Sequence, residues 1–80
     1  MMNRKQIVNI LDKAAERAAM TGKYEATGKQ CWYLAGLMEA TGIPTIADGF
    51  IHGEVLTKKR ASEMISDLIA HPDGSGGYAN

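Results

Sequence analysis

Three segments of this chain begin with a residue that caps helices and continue with apolar residues at helical spacing. Asn3 and Gln6 form the pattern of a capping box, in which each side chain bonds the backbone amide of the other. Thr27 and Gln30 repeat this pattern, and Thr57 stands before the third segment. In a chain of 80 residues, three such starts predict a mainly α, compact three-helix domain.

The apolar residues after these starts recur at intervals of three and four, so each predicted helix has one face for the core. The first helix carries Ile7, Ile10, Leu11, Ala14 and Ala18, the second Cys31, Leu34, Ala35 and Met38, and the third Ala61, Met64, Ile65, Leu68 and Ile69. We expect Gly22, Gly42 and Pro72 to end the helices. Residues 1–72 then form a single helical domain, and the glycine-rich residues 73–80 form a flexible tail.

Between the second and third helices, over residues 43–55, the helical spacing fails although several apolar side chains remain. This pattern predicts a structured loop. Asp48 and Gly49 are turn-forming residues between 45–46 and 50–51, so a short hairpin is an alternative. Two strands alone are only marginally stable unless helices cover one face.

The composition of the chain excludes several classes of function. A single cysteine excludes an internal disulfide, and nine basic residues balance nine acidic ones, so the chain lacks the broad positive field of proteins that wrap duplex DNA. No apolar run resembles a signal peptide or a membrane span, which predicts a cytoplasmic protein.

Catalysis would require Cys31 as a nucleophile with His52 or His71 as its base. We expect neither this nor a zinc site, because Cys31 falls on the apolar stripe and the three residues lack zinc-ligand spacing. No glycine-rich phosphate loop occurs in the sequence. The sequence therefore predicts a protein that is not an enzyme and that has no metal or other cofactor.

Cations cluster at the predicted helix starts. Six of the nine fall in a first turn: Arg4, Lys5, Lys29, Lys58, Lys59 and Arg60. A cation there is unfavourable for the helix by about 0.3–1 kcal/mol, but it combines with the exposed amides to attract anions. The alternative interpretation is a set of solvated lysines, on helix starts that need not share one side of the fold.

We predict that Lys58, Lys59 and Arg60 bind a partner together with the loop beside them, through Phe50 and Ile51. Further binding candidates are Lys29 and the aromatic residues Tyr24 and Tyr33, whereas Trp32 is assigned to the core. Gly36, inside the second helix, indicates the close approach of another backbone. The alanine-rich first helix allows a second helix to pack closely against it, so a homodimer through this helix is an alternative.

A longer pattern supports these local ones. Thr27-x-x-Gln30-x-x-x-Leu34, then Gly42, then Leu56-Thr57-Lys58-x-x-Ala61-Ser62-x-x-Ile65-x-x-Leu68 resembles a small helical module of uncharacterised bacterial and phage proteins. That module sometimes forms a tail on phage recombination or replication proteins. The resemblance implies a phage or mobile-element accessory protein that binds a protein or nucleoprotein complex, as anti-CRISPR inhibitors of host defence do. The alternative that it implies is a small nucleic-acid-binding module.

Overall fold

The computed structural model describes residues 3–41 and 48–72. They form three long helices, α1 (Arg4–Met20), α2 (Gly28–Thr41) and α4 (Lys58–Ala70), and a single short turn of helix, α3 (Asp48–Ile51). The prediction of a mainly helical, three-helix domain is therefore confirmed. Within the described ranges, the only β-type pairing is an isolated antiparallel bridge between Glu25 and Thr57.

The long helices begin where the caps predict. Asn3 and Gln6 exchange two bonds of 2.9 Å, each side-chain oxygen accepting from the other residue's backbone amide. Thr27 and Gln30 do the same at 3.0 and 3.1 Å, and the Thr57 hydroxyl accepts from the amide of Arg60 at 3.1 Å. Each cap stabilises its helix by about 1 kcal/mol, so short local signals determine all three starts.

The predicted breaks at Gly22 and Pro72 are confirmed. Gly22 has a φ of +78°, and the amide of Lys23 donates to the carbonyl of Ala18 at 2.9 Å, which closes α1 with a left-handed C-terminal cap. α4 ends at Ala70, shortly before Pro72. The predicted break at Gly42 and the predicted tail over 73–80 lie outside the described residues.

The hairpin alternative is wrong for the part of the loop that the structure describes. Gly49, Phe50 and Ile51 lie in α3, while 45–46 fall outside the described residues. The side chain of Arg17 stabilises this conformation, because its Nη2 donates to the backbone carbonyls of Phe50 and Glu54. The loop is thus fastened to α1 by a guanidinium rather than by a second strand.

The core lies between α1, α2 and α4, with α3 packed against α1. Its largest fully buried side chains are Ile7, Leu11, Leu34, Met38, Leu56, Met64, Leu68 and Cys31. None of the described polar or charged residues is buried. The buried alanines of α1 face this core, so the apolar stripe that suggested a homodimer through α1 is already covered within one chain.

Trp32 and Gly36 both have surroundings that differ from the prediction, and in both cases the neighbouring residue is Arg4. Trp32 is 49% exposed rather than buried, and the guanidinium of Arg4 lies 3.8 Å from the centre of its ring. A Cβ atom on Gly36 would lie 2.7 Å from Cζ of Arg4, so a side chain, and not another backbone, approaches this glycine. Arg4 thus holds the start of α1 against α2.

Candidate functional site

The segments that precede α2 and α4 are paired with each other. The amide of Ala26 donates to the carbonyl of Leu56 at 3.1 Å, and the amide of Lys58 donates to the carbonyl of Tyr24 at 2.8 Å. The amide of Leu56 also donates to the carbonyl of Ala14 in α1, at 3.0 Å. As a result, α2 and α4 begin side by side at the same end of the molecule.

Gln30 joins the two helix starts through one side-chain amide. Its Oε1 accepts from the backbone amide of Thr27 at 3.0 Å, which completes the cap of α2. Its Nε2 donates to the carbonyl of Lys58 at 3.2 Å, in the first turn of α4. The predicted cap residue is therefore also a bridge between the helices.

A groove and a smaller hollow lie at this junction and share Gln30. The groove has a volume of about 610 Å³ and is lined by Tyr24, Gln30, Lys58, Lys59, Ser62 and Glu63. The hollow has a volume of about 270 Å³ and is lined by Lys29, Gln30, Tyr33 and Ile65. We call these nine residues together the α2–α4 face.

The α2–α4 face is electrostatically positive. It contains three exposed lysines, Lys29, Lys58 and Lys59, against one carboxylate, that of Glu63. Neither α2 nor α4 has an acidic residue in its first turn. Because the positive ends of two helix dipoles lie next to each other here, they add to the charge of the lysines.

Both tyrosines of this face are accessible. Tyr24 is 89% exposed at the groove, and Tyr33 is 50% exposed at the hollow. Trp32 is also half exposed, but Arg4 lies against its ring. Tyr24 and Tyr33 therefore offer open aromatic surface next to lysines.

The structure brings together five of the eight residues predicted as binding candidates: Tyr24, Lys29, Tyr33, Lys58 and Lys59. Arg60 is exposed in the next position of α4, outside the lining of the groove. The basic start of α1 is separate, because Arg4 lies against Trp32 and Gly36 of α2. The basic starts of α2 and α4 therefore share one face of the fold, and Arg4 of α1 does not lie on that face.

The other two candidates lie elsewhere. Phe50 is 2% exposed and belongs to the core, so it cannot serve as the surface anchor that the sequence suggested. Ile51 is 53% exposed but lines a separate hollow of about 170 Å³ with Ile10, Lys13 and Arg17. Phe50 thus completes the core, whereas Ile51 lies on a different surface from the α2–α4 face.

Ser62 and Glu63 were missed as groove residues, although a simple signal could have found them. Each lies four positions after a lysine of the first turn, Lys58 or Lys59, and residues four apart share one side of a helix. Gln30 was recognised only as a cap, because its contact with α4 depends on tertiary structure.

Cys31 is in the core and is 1% exposed. Burial raises the pKa of its thiol to about 12, and the hydrogen bond and negative charge of Asp12 add to the effect. A thiol that remains protonated near neutral pH is a poor nucleophile. Among the described residues, no group of three or more histidine, cysteine or acidic side chains is placed to hold a metal ion.

The described helices also include none that is both long and apolar enough to cross a bilayer. Comparison with protein-family models, curated proteins and solved structures finds no match to this chain.

Proposed function

We propose that this chain is a binding protein whose contact surface is the α2–α4 face, and that its partner is a protein or nucleoprotein complex with exposed anionic groups. One observation carries the proposal: Lys29, Lys58 and Lys59, from two helices, converge on a groove and hollow edged by exposed tyrosines. Tyrosines are common anchors of interfaces, and cations select acidic partners.

Electrostatics supports this proposal. Lysines in the first turn of α2 and α4 oppose the helix dipoles and so reduce the stability of the isolated chain. Phosphates or carboxylates of a partner would reverse this effect, because they suit both the lysines and the amide ends of the helices. The arrangement is thus unfavourable alone and favourable when bound.

In the phage or mobile-element setting that the resemblance implies, the concrete form of this function is inhibition of a host defence or nucleic-acid enzyme. A small protein inhibits a large nucleoprotein complex by occupying a surface that the complex needs. The alternative is direct nucleic-acid binding in recombination or replication, and the exposed rings beside lysines favour it.

Affinity capture from a bacterial lysate, with and without nuclease, tests the proposal. The unchanged chain is compared with Lys58→Glu/Lys59→Glu and with Lys5→Glu/Lys13→Glu, which makes the same change in net charge on exposed positions of α1. We expect the first double variant to lose a partner that the second retains. Capture that is equal within about twofold for both variants would overturn the proposal, since a lost charged contact changes affinity tenfold or more.

Nuclease treatment then distinguishes the two forms of the function. A partner retained after nuclease is held by protein contacts, whereas a partner released by nuclease was held through nucleic acid. Raising the salt concentration provides a second distinction, because binding through several phosphates weakens steeply with salt and an apolar interface tolerates it.

A further inference from the structure

We infer that the α2–α4 face binds single-stranded nucleic acid, with bases stacked on Tyr24 and Tyr33 and with phosphates beside Lys29, Lys58 and Lys59. This inference rests on the proposed function, because it specifies the chemistry of the partner that the face contacts. The competing ligand for this face is an acidic protein segment.

The tyrosines provide the first argument. Tyr24 and Tyr33 are exposed, and they line adjacent concave spaces that share Gln30. An aromatic ring can stack on a base only if that base has a free face, which an unpaired strand provides and an intact duplex does not. We therefore expect the two rings, at neighbouring depressions, to stack on two bases of one strand.

The kind of cation provides the second argument. Arginine is enriched in protein–protein interfaces, whereas lysine, serine and glutamate are depleted there. The α2–α4 face has three lysines, Ser62 and Glu63, and none of the described residues that line it is an arginine. Tyrosines surrounded by lysines are instead typical of grooves that follow a nucleic-acid backbone.

The amount of charge provides the third argument. The chain has a formal net charge of zero, so its attraction to nucleic acid is local. Three lysines neutralise few phosphates, which suits a short single strand better than a duplex that needs many contacts. We expect the logarithm of the binding constant to fall with the logarithm of salt concentration with a slope of about −2.

Fluorescence anisotropy tests the inference with a labelled oligothymidine of about 12 nucleotides, a length within the range for one small domain. The matching oligouridine, a duplex of equal length and a polyglutamate peptide are measured beside it. We expect either single strand to bind more tightly than the duplex and the peptide. Preference for the duplex or for the peptide would overturn the inference.

Variants of the tyrosines and lysines test which side chains contact the single strand. Tyr24→Ala and Tyr33→Ala should each weaken binding by about 5- to 100-fold, and Tyr24→Phe and Tyr33→Phe should restore most of it because the ring is kept. Lys58→Glu/Lys59→Glu should weaken binding by at least about tenfold, and Lys5→Glu/Lys13→Glu by less than about threefold. Circular dichroism and the thermal midpoint verify that each variant is folded.

The two proposals can fail separately. If the lysate partner is lost on reversal of Lys58 and Lys59 but no oligonucleotide binds, the single-strand inference is wrong and the proposed function stands. If oligonucleotides bind but Tyr24→Ala and Tyr33→Ala have no effect, the inference is also wrong, because stacking is absent. If reversal affects neither partner nor oligonucleotide, both proposals are wrong.

Discussion

The start of α1 and the paired starts of α2 and α4 are all basic, yet their cations lie in different surroundings. At the start of α1, the backbone amide of Arg4 donates to a carboxylate oxygen of Glu39 at 2.6 Å, and the Arg4 guanidinium lies over Trp32 while donating to its carbonyl. The carboxylate of Glu39 and the ring of Trp32, both from the same chain, thus cover the start of α1. At the starts of α2 and α4, the lysines surround an open groove instead.

The position of a cation on a helix therefore does not determine its role. The guanidinium of Arg4 is used within the fold, because it lies over the Trp32 ring and donates to the Trp32 carbonyl. The exposed lysines Lys58 and Lys59 line an open groove, which makes them available to another molecule.

The end of the molecule at which α2 and α4 begin, which we call the open end, depends on Leu56. This residue is fully buried, and its backbone forms hydrogen bonds with both Ala26 and Ala14. Leu56→Ala should reduce the free energy of unfolding by about 2–5 kcal/mol, because it leaves a cavity beside the paired segments. Denaturant unfolding measures this loss. Ile69→Ala, at an exposed position of α4, is the control and should change the free energy by no more than about 0.5 kcal/mol. Equal effects would show that the paired segments are not part of the stable core.

The end at which α1 begins, which we call the closed end, depends on Arg4. Arg4→Ala should reduce the free energy of unfolding by about 1–2 kcal/mol, since it removes a cation–π contact and two hydrogen bonds to the carbonyl of Trp32. Lys58→Ala, at the open end, should change it by less than about 0.5 kcal/mol. Thermal unfolding of the two variants gives the comparison directly. If Lys58→Ala were the more damaging, the two ends would be closed in the same way.

Cys31 provides a pH-dependent test from the core side of α2. Its pKa is raised from 9.0 to about 12 in the folded chain, so the unfolded thiol ionises first as the pH rises. The thiol's contribution to stability is therefore complete below pH 9 and is lost progressively between about pH 9 and 12. At pH 10 the free energy of unfolding should be lower by about 1.4 kcal/mol, relative to Cys31→Ala measured in parallel.

Cys31→Ala should also retain any binding through the α2–α4 face, because Cys31 does not line it. Thiol-reactive dyes should label the native chain slowly and the unfolded chain fast. Rapid labelling of the folded protein would contradict the buried position of the thiol.

Lys58→Glu should have the smallest effect and the opposite sign. An acidic residue in the first turn of α4 suits the helix dipole, so the free energy of unfolding should rise by about 0.3–1 kcal/mol at low salt and by less at high salt. Residue 62, four positions later, is a serine and adds no repulsion. Urea unfolding at two salt concentrations measures the change. A decrease would mean that Lys58 is needed by the fold itself.

The sequence predicted the features that depend on near neighbours. The caps at Asn3, Thr27 and Thr57 involve bonds between residues three positions apart, so the pattern alone was sufficient. The predictions for Trp32 and Phe50 were wrong, and both residues have contacts with arginines far away in the sequence, Arg4 and Arg17. No propensity or periodicity contains such long-range contacts.

The same reasoning explains the candidate site. The lysines and tyrosines were identifiable as types of residue, but their convergence depends on the bonds from Ala26 to Leu56 and from Lys58 to Tyr24. Thr57, predicted as a cap only, also takes part in the bridge with Glu25. The sequence could therefore name five members of the face as binding candidates without predicting the groove.

The bonds between Ala26 and Leu56 and between Lys58 and Tyr24 also affect how the molecule folds. They join segments that are separated along the chain by all of α2 and α3, so they close a long loop, and their formation must overcome the entropy of that closure. The groove therefore needs both segments at once, and a chain cut before Lys58 would lack four of the six residues that line it.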